Sequence, residues 1–250
     1  MRPAKSSPNI IWSIHPVLEA LKTSPSSIIE IILDRKTGAR IDKIIELAEQ
    51  HNIDVRYDEA FFRKSEAAVG ERHQGVIARV RFQYPAFPEM LARIQKSDDI
   101  PFVLLLDSIQ DPQNLGAIIR TAVAAGCRYL ILPKDRSAQI AGTVAKASAG
   151  AVFHIDICRV TNLVSTINAL KGAGIWVFGT SVAGARSIYQ ADFSVPACLI
   201  IGNEEKGIRP LVKKNCDMLV TIPMSGRMNS LNASVAAGII LFEIARQRNI

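Results

Sequence analysis

Ala197-Cys198-Leu199-Ile200-Ile201-Gly202-Asn203-Glu204-Glu205-Lys206-Gly207 is the stretch that decides the fold. Its uninterrupted apolar half reads as a strand covered on both faces. The polar, glycine-bearing half stands at the strand exit, where an open α/β sheet builds its ligand crevice. Two other stretches repeat the arrangement. Met218 to Thr221 runs into Ile222-Pro223-Met224-Ser225-Gly226-Arg227-Met228-Asn229-Ser230-Leu231-Asn232, and Phe102 to Leu106 runs into a polar segment from Asp107 to Arg120. Small and polar side chains at three strand exits ask for a ligand held largely by backbone groups. They also ask for a reaction run by Asn, Arg, Glu and Ser.

Working outward, the spacing predicts strands at 102–106, 128–132, 152–157, 175–179, 197–201 and 217–222, and helices at 114–125, 138–147, 160–171 and 231–247. Strand–helix alternation with apolar runs argues a parallel sheet. Upstream, Val17, Leu18 and Leu21 mark a short helix and Ser27 to Leu33 a buried strand. A helix is expected over 40–50, a strand at 54–57, a short helix at 59–64 and a strand at 75–80, while residues 1–10 read as loose. The expected organisation is a small α/β domain at 1–82, a linker at 83–100 punctuated by Pro85 and Pro88, with a helix over 89–96, and a large α/β domain at 101–250.

The 250 residues are 48% hydrophobic, enough for a globular core, and carry a net charge of +7, which favours a polyanionic partner. The charge is spread out: residues 1–96 hold 15 Lys/Arg and 12 Asp/Glu, and residues 97–250 hold 15 and 11, so a basic face must be assembled by folding. Cys127, Cys158, Cys198 and Cys216 lack any metal-ligand spacing and read as buried free thiols, so no metal is expected. There is no signal-peptide pattern and no run of apolar residues long enough for a membrane helix, so a cytoplasmic, membrane-free protein is expected.

Familiar nucleotide and hydrolase signatures are missing. No GxGxxG follows the first strand of the large domain. Gly179 to Gly184 has P-loop glycine spacing, but Ala185-Arg186 replaces the Lys-Ser/Thr, and no GxSxG occurs. Several residues have plain structural readings beside functional ones. Asn114 and Asn232 suit helix caps, as does Ser230. Arg120 suits a snorkelling surface position or a fork that grips phosphate. Glu204 belongs to a turn or to a ligand anchor. Arg63, Lys64, Arg72 and His73, with Arg79 and Arg81 nearby, are a solvated face or an RNA-contact surface.

Taken together, Asn114-x-Gly-x-x-x-Arg120, Gly202-Asn-Glu-x-x-Gly207 and Ile222-Pro-Met followed by Ser230-Leu-Asn-x-Ser234 resemble, in order and separation, the SpoU-type (TrmH-like) RNA 2′-O-ribose methyltransferases of the SPOUT class. His15 to Leu21 and His73-Gln-Gly-Val76 look like that family's small substrate-binding domain, with Ser13 where the family usually has Gly before Ile-His. The resemblance implies a parallel-sheet SPOUT domain with a C-terminal trefoil knot and a small N-terminal α/β, L30e-like domain. It implies S-adenosylmethionine as donor, structured RNA as substrate and a homodimer. It carries cofactor binding to Gly202, Ile222 and Leu231, with Thr180, Gly179 and Asn203 lining the same crevice. Catalysis carries to Asn114, Arg120, Glu204, Ser230 and Asn232. The wording of the motifs is most similar to bacterial enzymes that modify a guanosine of 23S ribosomal RNA. A guanosine of tRNA, and a non-catalytic RNA-binding or ribosome-assembly protein, are the alternatives.

Overall fold

The computed structural model describes residues 9–34, 38–62, 73–182, 185–226 and 230–250. It divides into two compact units, Met1–Gln83 with Gln139–His154, and Tyr84–Ala138 with Ile155–Ile250.

In the smaller unit, strands β1 (Asn9–Trp12), β2 (Ile28–Leu33), β3 (Val55–Tyr57) and β4 (Val76–Val80) form a sheet in the order β1-β4-β2-β3, with only β2–β3 parallel. Residues 9–10, expected to be loose, pair with Val80 and Arg79. Helix α1 (Ile14–Thr23) buries Pro16, Val17, Ala20 and Leu21, and α2 (Ala39–Gln50) buries Ile41, Ile44 and Ala48, the spacing of one helical face. Residues 59–62 are helical. Ser13, at the start of α1, is buried and takes φ 79, ψ 150, a region suited to glycine. The departure from the family's Gly therefore falls where a side chain is strained.

The segment 139–154 completes this unit. A Cβ on Gly142 would lie 1.9 Å from the Trp12 ring, and Phe153 stacks on Phe82 with centroids 5.4 Å apart. Glu19 accepts from His154 Nε2 at 2.7 Å. These contacts correct two boundaries. The expected strand 152–157 begins only at 156, because Ala151–Phe153 forms a 3-10 turn after left-handed Gly150 and gives its apolar side chains to the small unit's core. The expected helix 138–147 shortens to α5 (Gly142–Ala147), since Ala138 donates its N–H to Ile109 O.

In the larger unit, α3 (Phe87–Gln95) is followed by β5 (Phe102–Asp107), α4 (Pro112–Ala124), β6 (Tyr129–Pro133), β7 (Asp156–Val160), α6 (Leu163–Gly172), β8 (Trp176–Thr180), β9 (Arg186–Ser187), β10 (Ala197–Gly202), α7 (Pro210–Lys214), β11 (Met218–Thr221) and α8 (Ala233–Gln247). The seven strands run β7-β6-β5-β10-β8-β11-β9, and every pair is parallel. Residues of β5 and β10 are buried along their whole length, which is why neither alternates polar and apolar positions. Asn162 caps α6 by accepting from Ser165 N, so that helix starts after 162 rather than at 160. Neither β9 nor α7 has a periodic signal, and sequence patterning had shown neither. Among the described residues no helix is long and apolar enough to cross a membrane.

Candidate active site

Three chain segments leave β5, β10 and β11 at the same end of the sheet, as parallel neighbours must. The first enters α4. Asp111, not Asn114, is the cap: its carboxylate accepts from Gln113 N and Asn114 N, with Pro112 in the first turn. The Asn114 side chain is thereby released, and its Nδ2 donates to Glu204 Oε1.

The second segment, after β10, doubles back. Asn203 and Gly207 exchange both backbone hydrogen bonds, at 3.2 and 2.8 Å. The return passes so close that a Cβ on Gly202 would sit 2.2 Å from Gly207 C. Only glycine fits there, for reasons of space rather than backbone angle. Asn203 Oδ1 accepts from Glu205 N and Lys206 N, and its Nδ2 donates to Glu204 Oε2 at 3.2 Å.

The third segment enters α8. Asn232 is its cap, accepting from Ser234 N and Val235 N, and it also reaches outward: its Nδ2 donates to Asn114 Oδ1 at 3.0 Å. Asn232, Asn114, Glu204 and Asn203 thus form one hydrogen-bonded chain linking all three segments.

A cavity of about 490 Å³ opens beside this chain. Ile201, Ile208, Ile222, Leu231 and Ile240 supply apolar wall, and Thr180, Asn203, Glu204 and Ser230 are among its polar lining. Of the residues expected to hold a cofactor, Gly202, Ile222, Leu231, Thr180 and Asn203 line it. Gly179 does not: its Cα is covered by Cys216 Sγ, Leu219 and Ile208, 2.6 to 3.3 Å from where a Cβ would stand, so it is a packing glycine. Ser230 and Glu204 line the cavity, whereas Asn114 and Asn232 stand behind Glu204 in the hydrogen-bonded chain.

Arg120 is exposed and, among the described residues, has no hydrogen-bond or ion-pair partner. It lies six residues after Asn114, about 240° round the helix, and so points away from the Asn114 face. Arg63, Lys64 and Arg72 lie outside the described residues, as do Arg227, Met228 and Asn229. His73 is corrected from a surface contact to a core residue. It is 8% exposed, meets Phe62 edge-on at 4.5 Å and accepts from Gly75 N at its Nδ1.

Sequence patterning missed Asp107 and Arg209, which meet at 2.7 Å beneath the loop after β10. The signal for Asp107 was present, since a carboxylate closing an apolar strand needs a partner. Nothing in the pattern pointed to Arg209. It also missed Lys213, which lines the cavity and donates to Ser181 Oγ at 2.8 Å.

The site fits an adenosyl group. An apolar cleft bounded by a glycine whose backbone alone can face a ligand suits a flat base and a ribose, and the polar lining suits the charged end of such a molecule. Among the described residues there is no group of three or more His, Cys, Asp or Glu suited to a metal ion.

The model of the SpoU rRNA Methylase family matches residues 101–242, and that of the RNA 2′-O ribose methyltransferase substrate-binding domain matches residues 10–86. Among similar curated proteins, the 23S rRNA (guanosine-2′-O-)-methyltransferase RlmB of Shewanella oneidensis is 40% identical, with 96% of this chain and 98% of that one covered. The putative TrmH family tRNA/rRNA methyltransferase YacO of Bacillus subtilis is 39% identical over 93% of each chain. A solved structure of the SpoU methyltransferase AviRb from Streptomyces viridochromogenes, in complex with the cofactor AdoMet, superposes with a TM-score of 0.81 at 26% identity, covering 97% of this chain and 91% of that one.

Proposed function

The chain belongs to the SpoU rRNA methylase family and is an RNA 2′-O-methyltransferase that uses S-adenosylmethionine; from that premise we propose that it methylates the ribose of a guanosine in 23S ribosomal RNA. The observation that carries the reading is the hydrogen-bonded chain Asn232–Asn114–Glu204 standing against an apolar cavity bounded by Gly202. The target is supported by likeness over nearly the whole length to proteins named for that guanosine. The similarly close relative named for tRNA or rRNA makes tRNA the second reading.

When bound, the donor supplies an electrophilic sulfonium methyl, and the protein's task is to orient and activate a ribose hydroxyl. In this reading Gly202, Ile222, Leu231, Thr180 and Asn203 hold adenine and ribose, mostly through backbone groups. Glu204 keeps Asn114 in one rotamer by accepting its amide, and Asn232 fixes the other end of that amide. Ser230 orients the ribose. The hydroxyl must lose its proton during attack. A guanidinium does not deprotonate at neutral pH, so Arg120 grips the neighbouring phosphate and stabilises the growing alkoxide charge.

Arg120 faces away from the Asn114 side of its helix, which supports supply of this group across a homodimer interface. Val235 and Phe242, 50% and 54% exposed, flank half-buried Ile239 at positions i, i+4 and i+7 of α8, an apolar stripe suited to such an interface. The C-terminal segment bearing Ile222 to Asn232 is read as threading the family's trefoil knot, and the enzyme as acting in the cytoplasm.

The test is transfer of tritiated methyl from S-adenosylmethionine to 23S rRNA, 16S rRNA and bulk tRNA by the full-length protein and by Arg120→Ala. Label confined to 23S rRNA as 2′-O-methylguanosine, and lost in the variant, is the expected result. Label in tRNA alone would replace the target with the second reading.

A further inference from the structure

Both ends of the loop that walls the cavity are held by two residues at the exit of β5. Asp107 closes that strand, is fully buried, and pairs in register with Gly202, where β10 ends. Its Oδ2 accepts from Arg209 N at 2.9 Å, and its Oδ1 accepts from Arg209 Nε at 2.7 Å and from Ser108 Oγ at 3.1 Å. Ser108 itself takes φ 68, the left-handed region a serine enters at a cost, and its carbonyl accepts from Asn203 Nδ2 at 3.4 Å. Residues 203 and 209, the two ends of the loop, are therefore both tied to the pair 107–108. Between them lie Glu204 and the stretch through Ile208 that lines the cavity.

A carboxylate taken wholly out of water needs a charged, hydrogen-bonded partner. Here that partner approaches Asp107 with its guanidinium and its own backbone amide together. Two contacts from one residue fix position and orientation at once, which a single contact does not. Neither Asp107 nor Arg209 lines the cavity, so the pair acts on it through the loop it holds.

We propose that Asp107 and Arg209 are a positioning pair for the methyl donor. They set the separation between the wall 202–208 and the rest of the cavity, and through Glu204 they set the placement of Asn114. The inference rests on the reading of the cavity as the S-adenosylmethionine site. It predicts that weakening the pair loosens donor binding more than RNA binding, because the loop is cavity wall.

The experiment uses the full-length protein and the variants Arg209→Met, Arg209→Lys and Asp107→Asn. Donor affinity is measured by calorimetry with S-adenosylmethionine, KM for donor and for RNA by methyl transfer, and folding by thermal melting. Arg209→Met is expected to weaken donor affinity and raise donor KM by about tenfold or more, with RNA KM within about twofold of wild type and melting lowered by only a few degrees. Arg209→Lys is expected to recover part of the donor affinity, since it restores charge but not the fork.

Unchanged donor KM in Arg209→Met would overturn the proposal. So would donor and RNA KM rising together. Should Asp107→Asn fail to fold, Arg209→Met still decides, because the Arg209 side chain is 40% exposed and Asp107 keeps the Arg209 amide and the Ser108 hydroxyl. Absence of donor binding by the wild-type protein would instead sink the reading of the cavity, before any variant is compared.

Discussion

Asn114 and Asn232, 118 residues apart in the chain, are joined by a hydrogen bond of 3.0 Å between their side-chain amides. Each stands in or just before the first turn of a helix, and only one of them is spent on capping. Asp111 caps α4, so both ends of the Asn114 amide are available, one to Glu204 and one to Asn232. Asn232 does two jobs with two atoms, its oxygen capping α8 and its nitrogen reaching Asn114.

This division separates two variants. Asn232→Ala loses both cap and bridge and is expected to cost about 1 kcal/mol of stability together with a fall in kcat of about a hundredfold. Asn232→Ser keeps a capping oxygen but cannot bridge, so its denaturation midpoint should stay near wild type while kcat falls as in the alanine variant. Equal activity of the serine variant and wild type would remove the bridge from the mechanism.

Gly202→Ala places a methyl 2.2 Å from Gly207 C and 2.3 Å from Ile208 N, both backbone atoms. Backbone cannot rotate aside as a side chain can, so the return of the loop must shift. Donor binding by calorimetry is expected to drop by at least about tenfold, with the protein still folded.

Ser13 predicts an inverted ranking. Alanine is ordinarily more stable than glycine at a given site because it restricts the unfolded chain, but φ 79 with ψ 150 reverses that preference. Ser13→Gly should exceed Ser13→Ala in urea denaturation by about 1 kcal/mol or more. Alanine ahead of glycine would mean that the backbone at this turn is not strained.

The thiols set an alkaline limit. Burial pushes Cys127 up to about 12 and raises Cys198 well above its ordinary value, while burial and the nearby Asp217 push Cys216 up to about 11; burial also raises Cys158. An acid with a raised folded pKa contributes its full stability below the unfolded value and loses it as pH rises towards the folded one, because the unfolded state ionises first. Stability to urea should therefore decline above about pH 8.5, the unfolded thiol range. The decline should be shallower in Cys198→Ala. A thiol reagent at pH 8 should react slowly with native protein and with all four cysteines after unfolding.

The apolar stripe on α8 makes a prediction about assembly. Phe242→Glu puts a charge at one end of the apolar stripe proposed to join two copies, and light scattering is expected to give a dimer for the wild type and a monomer for the variant. Methyl transfer should fall with it if Arg120 is supplied across the interface. A monomeric wild-type protein would remove both expectations.

Apolar runs ended by glycine-bearing polar segments were enough to make the larger unit a parallel α/β sheet, since a strand buried on both faces leaves a run that no surface helix would show. The same runs placed Gly202, Glu204 and Asn232 at strand or helix ends, which is local information carried by residue type. What the chain could not display locally were the jobs settled by distant partners. Asn114 and Asn232 both looked like caps, and only the fold shows that Asp111 takes the first cap while Asn232 takes the second and still reaches Asn114. Gly179 and Gly202 looked alike as crevice glycines, yet one is packed under Cys216 and the other yields space to a returning backbone. Ala151 to Phe153 had strand composition but serve the core of the smaller unit, which sequence distance concealed. Residue type and periodicity report what a segment can do with its immediate neighbours. Which of its atoms is already committed depends on hydrogen bonds and contacts spanning a hundred residues, and those exist only after the sheet has assembled.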